Sequence, residues 1–172
     1  EETPYTGDEL SNAILHLDAA KMSLAVSDGA RAEDGVVYAT DGGTYTVTLT
    51  LTDLNYRWEG GDTVVLTWTI TAAENEITRI NFDAEWTYAR APEPETPSAG
   101  ARFGEPKFAY ALLPDGFADD YDADLDWTDV LPTDAGSYVL CAYVEGTDDY
   151  AAAADYFEFI IRPAEIDVTG VA

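Results

Sequence analysis

The chain has one cysteine, one histidine, one methionine and only eight lysine and arginine residues among 172. A single cysteine, Cys141, excludes a disulfide within the chain. A single histidine, His16, has no Ser or Cys motif beside it, so a Ser-His-Asp or Cys-His site lacks its parts. His16 is therefore expected to play an ordinary role. Cys141 is expected to sit on a strand without function, the alternative being an adventitious disulfide between two chains. No stretch approaches the about 20 consecutive apolar residues of a membrane span. Against the eight cations stand 34 Asp and Glu, a net charge of −26. Such a surface repels phosphate backbones and anionic lipid, so neither nucleic acid nor membrane insertion is expected. The plain reading is a solvated acidic surface suited to extracellular life, open to cations or basic partner surfaces. Carboxylate pairs are everywhere in so acidic a chain, so two of them close together say nothing of glycosidase chemistry. No enzyme activity is expected.

What the chain does have is apolar material and repetition. Hydrophobic residues make up 47%, with 4 Trp and 11 Tyr, enough for two packed cores and too much for a disordered chain. The pattern Asp-x-Gly-x-Tyr occurs at Asp41-Gly42-Gly43-Thr44-Tyr45 and at Asp134-Ala135-Gly136-Ser137-Tyr138. The two tyrosines stand 93 residues apart, about the length of one immunoglobulin-like domain. A second landmark, Asn55-Tyr56 and Asp149-Tyr150, recurs at a spacing of 94.

Each tyrosine leads into an alternating strand. Tyr45, Val47, Leu49 and Leu51 oppose Thr46, Thr48, Thr50 and Thr52, and Val64, Leu66, Trp68 and Ile70 repeat the period of two. In the second copy Tyr138, Leu140, Ala142 and Val144 are the inward set. That leaves Val139, Cys141 and Tyr143 outside, an apolar face that calls for cover from a neighbouring module or a loop. Phe157, Phe159 and Ile161 form the partner strand. Upstream, Ile80, Phe82, Ala84, Trp86 and Tyr88 alternate as one run, and Phe108, Tyr110 and Leu112 form a short strand. Pro92, Pro94 and Pro97 break the chain between them.

Residues 8–21 pull two ways. Leu10, Ala13, Ile14 and Leu17 lie at helical spacing behind an acidic first turn, whereas the repeat framework asks for short strands. Strands are favoured. The expected fold is all-β, two tandem immunoglobulin-like β-sandwiches at 1–75 and 76–163, with 164–172 a linker or the start of a following module. A helix at 8–21 would favour β-grasp-like α+β modules instead. Only about 40 residues precede Tyr45, so the first domain is compact or lacks an initial strand. A start at Glu1-Glu2-Thr3-Pro4, without an initiator Met or signal peptide, is expected of a segment of a longer protein.

In a tyrosine corner the hydroxyl turns back onto upstream backbone and pins a crossover loop. Asp41, Gly43 and Tyr45, and likewise Asp134, Gly136 and Tyr138, are thus expected to be structural. Val47 and Leu140 stand where an immunoglobulin domain places a core cysteine.

The chain resembles the bacterial immunoglobulin-like repeats of Gram-positive surface proteins, including the type called MBG. The matching residues are Tyr5-Thr6-Gly7, Gly43 to Leu49, Asn55-Tyr56-Arg57-Trp58 and Leu66 to Ile70. In the second half they are Trp86-Thr87-Tyr88, Phe103-Gly104 and Pro132 to Tyr138. Tyr88-Ala89 departs from the Tyr-Gly usual in that type. The resemblance implies a secreted or wall-attached protein whose modules form stalks or adhesive arrays. Its partners would be neighbouring repeat modules, with glycan or extracellular protein as the adhesive alternative. An accessory domain of an extracellular polysaccharide-degrading enzyme is the third reading. No catalytic residue is carried over.

Three candidate sites remain. Arg57 and Trp58 join a donor fork to a stacking face, the chemistry used for sugars and protein partners. Tyr56 recurs as Tyr150 and is expected to pack against its own domain. Asp120, Asp122, Asp124 and Asp126 offer hard oxygens at alternate positions, so calcium is the one cofactor to weigh against a solvated loop. The EF-hand register fails, because from Asp122 position six is Trp127 and position twelve is Thr133. Lys21 and Lys107 are the lysines available to a Lys–Asn isopeptide crosslink.

Overall fold

The computed structural model describes residues 1–15, 17–59, 61–90, 93–114, 117 and 125–167. These form thirteen strands and no helix. The chain divides into two compact units, Glu1–Glu74 with Gly146–Ala151, and Asn75–Glu145 with Ala152–Ala172. A single cut near residue 75 therefore misplaces one short segment. Gly146–Ala151 belongs to the first unit because its backbone bonds there, Ala73 N–H donating to Asp149 O at 2.9 Å and Ala151 N–H to Ala73 O at 2.9 Å.

The first unit contains β1 (Glu2–Pro4), β2 (Leu10–Ala13), β3 (Met22–Val26), β4 (Ala30–Glu33), β5 (Val36–Ala39), β6 (Gly43–Leu51) and β7 (Thr63–Thr71). One sheet runs β1-β7-β6-β3, the other β2-β5-β4. The expected alternation sets the core: Tyr45, Val47 and Leu49 of β6 and Trp68 and Ile70 of β7 are buried against Val37 and Ala39 of β5. Trp68 buries a large ring without stranding its indole N–H, which donates to Thr3 Oγ1 at 3.0 Å. Leu66, also on the inward set, is 42% exposed. The helical competitor at 8–21 is not adopted: Leu10–Ala13 pairs antiparallel with Val36–Ala39, and the sheet contact overrides local propensity.

The second unit contains β8 (Ile77–Asn81), β9 (Glu85–Thr87), β10 (Ser98–Ala101), β11 (Lys107–Leu112), β12 (Gly136–Val144) and β13 (Ala153–Arg162). Its sheets are β11-β12-β13-β9 and β10-β8. The larger sheet has the same order and sense as its counterpart in the first unit. In both, two long antiparallel strands are flanked by one antiparallel neighbour and a three-residue parallel edge strand. The run at residues 80–88 is two strands, not one. β8 pairs with β10, and the chain then crosses to place β9 beside β13. Alternation survives the crossing because both sheets face the same core, where Ile80, Phe82 and Trp86 meet Leu140, Phe159 and Ile161.

Ala89, standing where the resembling repeats carry glycine, has a φ of 56°. A Cβ in that left-handed region meets the carbonyl oxygen. Ala89→Gly is expected to raise the second unit's stability by a few tenths to about 1 kcal/mol, the strain relieved exceeding the entropy glycine adds to the unfolded chain. Urea denaturation of the two proteins decides it, and a lowered midpoint would contradict the backbone geometry.

Candidate functional sites

Both Asp-x-Gly-x-Tyr motifs close in the same way. Tyr45 Oη donates to Asp41 O at 2.7 Å, and Tyr138 Oη donates to Asp134 O at 3.0 Å. Each hydroxyl thus returns to the carbonyl four residues upstream, and each pKa is raised, first by burial. The ring of Tyr138 folds so closely over Gly136 that a Cβ there would meet its Cε2, Cζ and Oη at 3.2 Å. Glycine makes room for the ring.

The loop between β6 and β7 carries Arg57 and Trp58. It is organised by an Asx turn, with Asp53 Oδ1 accepting from the Asn55 backbone N–H at 2.9 Å and from Asn55 Nδ2 at 2.7 Å. Arg57 is exposed, whereas Trp58 is partly buried against the first unit's core. Both line a shallow concavity with Glu59, Gly61 and Asp62, so two carboxylates share it with the guanidinium. Tyr56 packs only loosely within its own unit. It is 51% exposed, its ring 4.8 Å from Lys21 Nζ. Its counterpart Tyr150 lies instead in the first unit, 6.4 Å from the ring of Tyr5.

Of the acidic loop, Asp126 is described and exposed, while Asp120, Asp122 and Asp124 lie outside the described residues, as does His16. Among the described residues no three His, Cys, Asp or Glu side chains gather as metal ligands. The two lysines weighed for a crosslink are in ion pairs, Lys21 with Asp18 at 2.7 Å and Lys107 with Glu145 at 2.9 Å. Hydrogen bonding to each carboxylate raises the ammonium pKa, which keeps these amines protonated and non-nucleophilic.

No family model and no curated protein matches the chain. Among solved structures it is similar to a SusE-like surface-located polysaccharide-binding protein from the heparin utilisation locus of Bacteroides thetaiotaomicron. The identity is 14% and the TM-score 0.33, over 94% of this chain. The chain spans 32% of that protein's length.

Cys141 is buried on the outer face of β12, with 3% of its surface exposed. The apolar outer face expected there is covered from within the unit. Thr128 bonds in both directions with Tyr110 on β11, at 2.7 and 2.9 Å, and this carries Trp127 over the sheet to within 6.3 Å of the Tyr156 ring. Burial pushes the Cys141 thiol up to about 11, outweighing the neighbouring Tyr156 side chain, which favours ionisation. At pH 8 a disulfide reagent is expected to label native Cys141 roughly two orders of magnitude more slowly than a free thiol. Labelling at the free-thiol rate would place the sulfur at the surface.

One feature has no contiguous sequence signal. An open groove beside Cys141 draws its lining from β11, β12, β13 and the segment carrying Trp127.

Proposed function

We propose that this chain is a non-catalytic pair of immunoglobulin-like modules acting as a structural spacer in a secreted or wall-attached bacterial surface protein. The observation that carries the reading is the double tyrosine corner. The most distinctive repeated residues, Asp41-x-Gly43-x-Tyr45 and Asp134-x-Gly136-x-Tyr138, end in the same hydroxyl-to-carbonyl bond at the start of the equivalent strand. What the sequence repeats is what pins a sandwich, and a stalk needs little else. Two further facts support it. The sole thiol is buried and held neutral. The net charge of −26 keeps such modules soluble and apart.

The reading is tested in the parent surface protein. Replacing residues 1–172 with an unrelated β-sandwich pair of equal length should leave its display and its reach from the cell unchanged; loss of either sinks the spacer role. Turnover of any polysaccharide or peptide by the purified chain, abolished by one carboxylate substitution, would sink the non-catalytic one.

A further inference from the structure

The outer face of the β11–β12–β13 sheet is closed over Val139 and Cys141 but opens towards its far end. Cross-strand register builds the floor: Ala109 is opposite Cys141, and the next outward row places Tyr143 between Lys107 and Ala154. Small side chains at Ala109, Cys141 and Ala154 thus lie beside a large aromatic one. Trp127, from the covering segment, lines the same groove. Its volume is about 600 Å³, within the range of about 300–1,000 Å³ typical of small-molecule sites.

The rim selects the chemistry. Glu145 lines the groove, and its carboxylate is paired with Lys107 Nζ at 2.9 Å. That pair offers an acceptor and a donor within one ligand's reach and carries no net charge. A cationic ligand would find the carboxylate already neutralised. An anionic one would have to approach a chain of net charge −26. A neutral ring with apolar C–H faces and hydroxyl edges suits both halves of the site, stacking on indole and phenol while its hydroxyls bond the rim.

We propose that this groove in the second unit binds neutral pyranose rings of a polysaccharide, with Trp127 and Tyr143 as the stacking residues and Glu145 and Lys107 as the hydroxyl contacts. The proposal goes beyond the spacer role, which stands or falls separately: a stalk needs no sugar, and a sugar site needs no stalk.

The test is calorimetric titration of the whole chain with neutral hexasaccharides (gluco-, manno- and xylo-configured) and with a heparin hexasaccharide, in 0.15 M salt. At least one neutral hexasaccharide is expected to bind saturably and more tightly than heparin. Trp127→Ala should weaken that binding by about tenfold or more, the loss of one aromatic contact. Because Trp127 also covers the sheet, Ala154→Leu is the second variant. It fills the groove while removing no contacting group, and should abolish binding with an unchanged melting temperature. Absence of binding by every neutral sugar, tighter binding of heparin, or binding that survives both variants would overturn the proposal. So would a concentration-dependent dimer that buries the groove against a second copy, read by sedimentation and lost in Ala154→Leu.

Discussion

Phe159→Ala is expected to cost the second unit about 3–5 kcal/mol, the range for emptying a buried aromatic site. Phe159 is 1% exposed and is the hub of that core. Its ring stacks on Trp86 at 5.2 Å and 10° and on Tyr138 at 5.4 Å and 21°. It meets Phe82 edge-on at 5.2 Å and Tyr110 at 6.2 Å. These partners come from β9, β12, β11 and the crossing after β8, so no single strand can move in to close the hole. Domains are stable by only about 5–15 kcal/mol, so the substitution removes a fifth or more of what holds the unit together. Phe159→Leu separates volume from ring geometry. It keeps most of the apolar bulk and loses the aromatic contacts, and is expected to cost about 1–2 kcal/mol. Urea denaturation with hydrogen exchange at the β12 amides reads both. A Phe159→Ala protein that holds its β12 protection within 1 kcal/mol of the parent, against the range expected for a core aromatic, would remove Phe159 from the centre of this core.

Such a hub was legible in the sequence because β13 sets Phe157, Phe159 and Ile161 at alternate positions, whereas β12, apolar on both faces, marks its inward side less sharply. The signal is clearest in β6, where Thr46, Thr48 and Thr50 mark the outward face, and it continues into β7 at Thr67 and Thr69. Ser98–Ala101 carried no such mark. A strand of Ser, Ala, Gly and Ala has no β-branched residue and is made a strand by its pairing with Ile77–Asn81. The hairpin of β4 and β5 did have a local signal, Asp34-Gly35, both with φ above zero (50° and 77°), as a two-residue turn demands. Candidate sites were less legible, because they depend on which loop meets which surface. Tyr56 and Tyr150 occupy equivalent places in the repeat, yet one stands over Lys21 at the surface and the other against Tyr5. The groove at Tyr143 is assembled by register across three strands, and no linear motif records register.

Gly42→Ala is expected to expel the segment Gly146–Ala151 from the first unit. A Cβ on Gly42 would be driven into the backbone carbonyl of Asp148, and backbone cannot swing aside as a side-chain tip can. The turn holding Gly42 is itself pinned, since Asp41 O accepts the Tyr45 hydroxyl at 2.7 Å. The segment must therefore yield. Leaving costs it the bond from Gly42 N–H to Asp149 Oδ1 at 2.6 Å, both backbone bonds with Ala73, and the contact between Tyr150 and Tyr5. At about 1 kcal/mol for an ordinary hydrogen bond, and somewhat more for one to a carboxylate, the first unit should lose about 2–4 kcal/mol. The loss cannot exceed what docking supplies, because an undocked segment relieves the clash completely. That ceiling gives the prediction its sharpest form. Asp149→Ala alone should cost about 1–2 kcal/mol, but in the Gly42→Ala background it should cost almost nothing, since its bond is already gone. Exchange at the Ala73 and Ala151 amides reads the docking directly. Two additive substitutions, or an Ala73 amide still protected in Gly42→Ala, would mean that Gly42 and Asp149 do not share one contact.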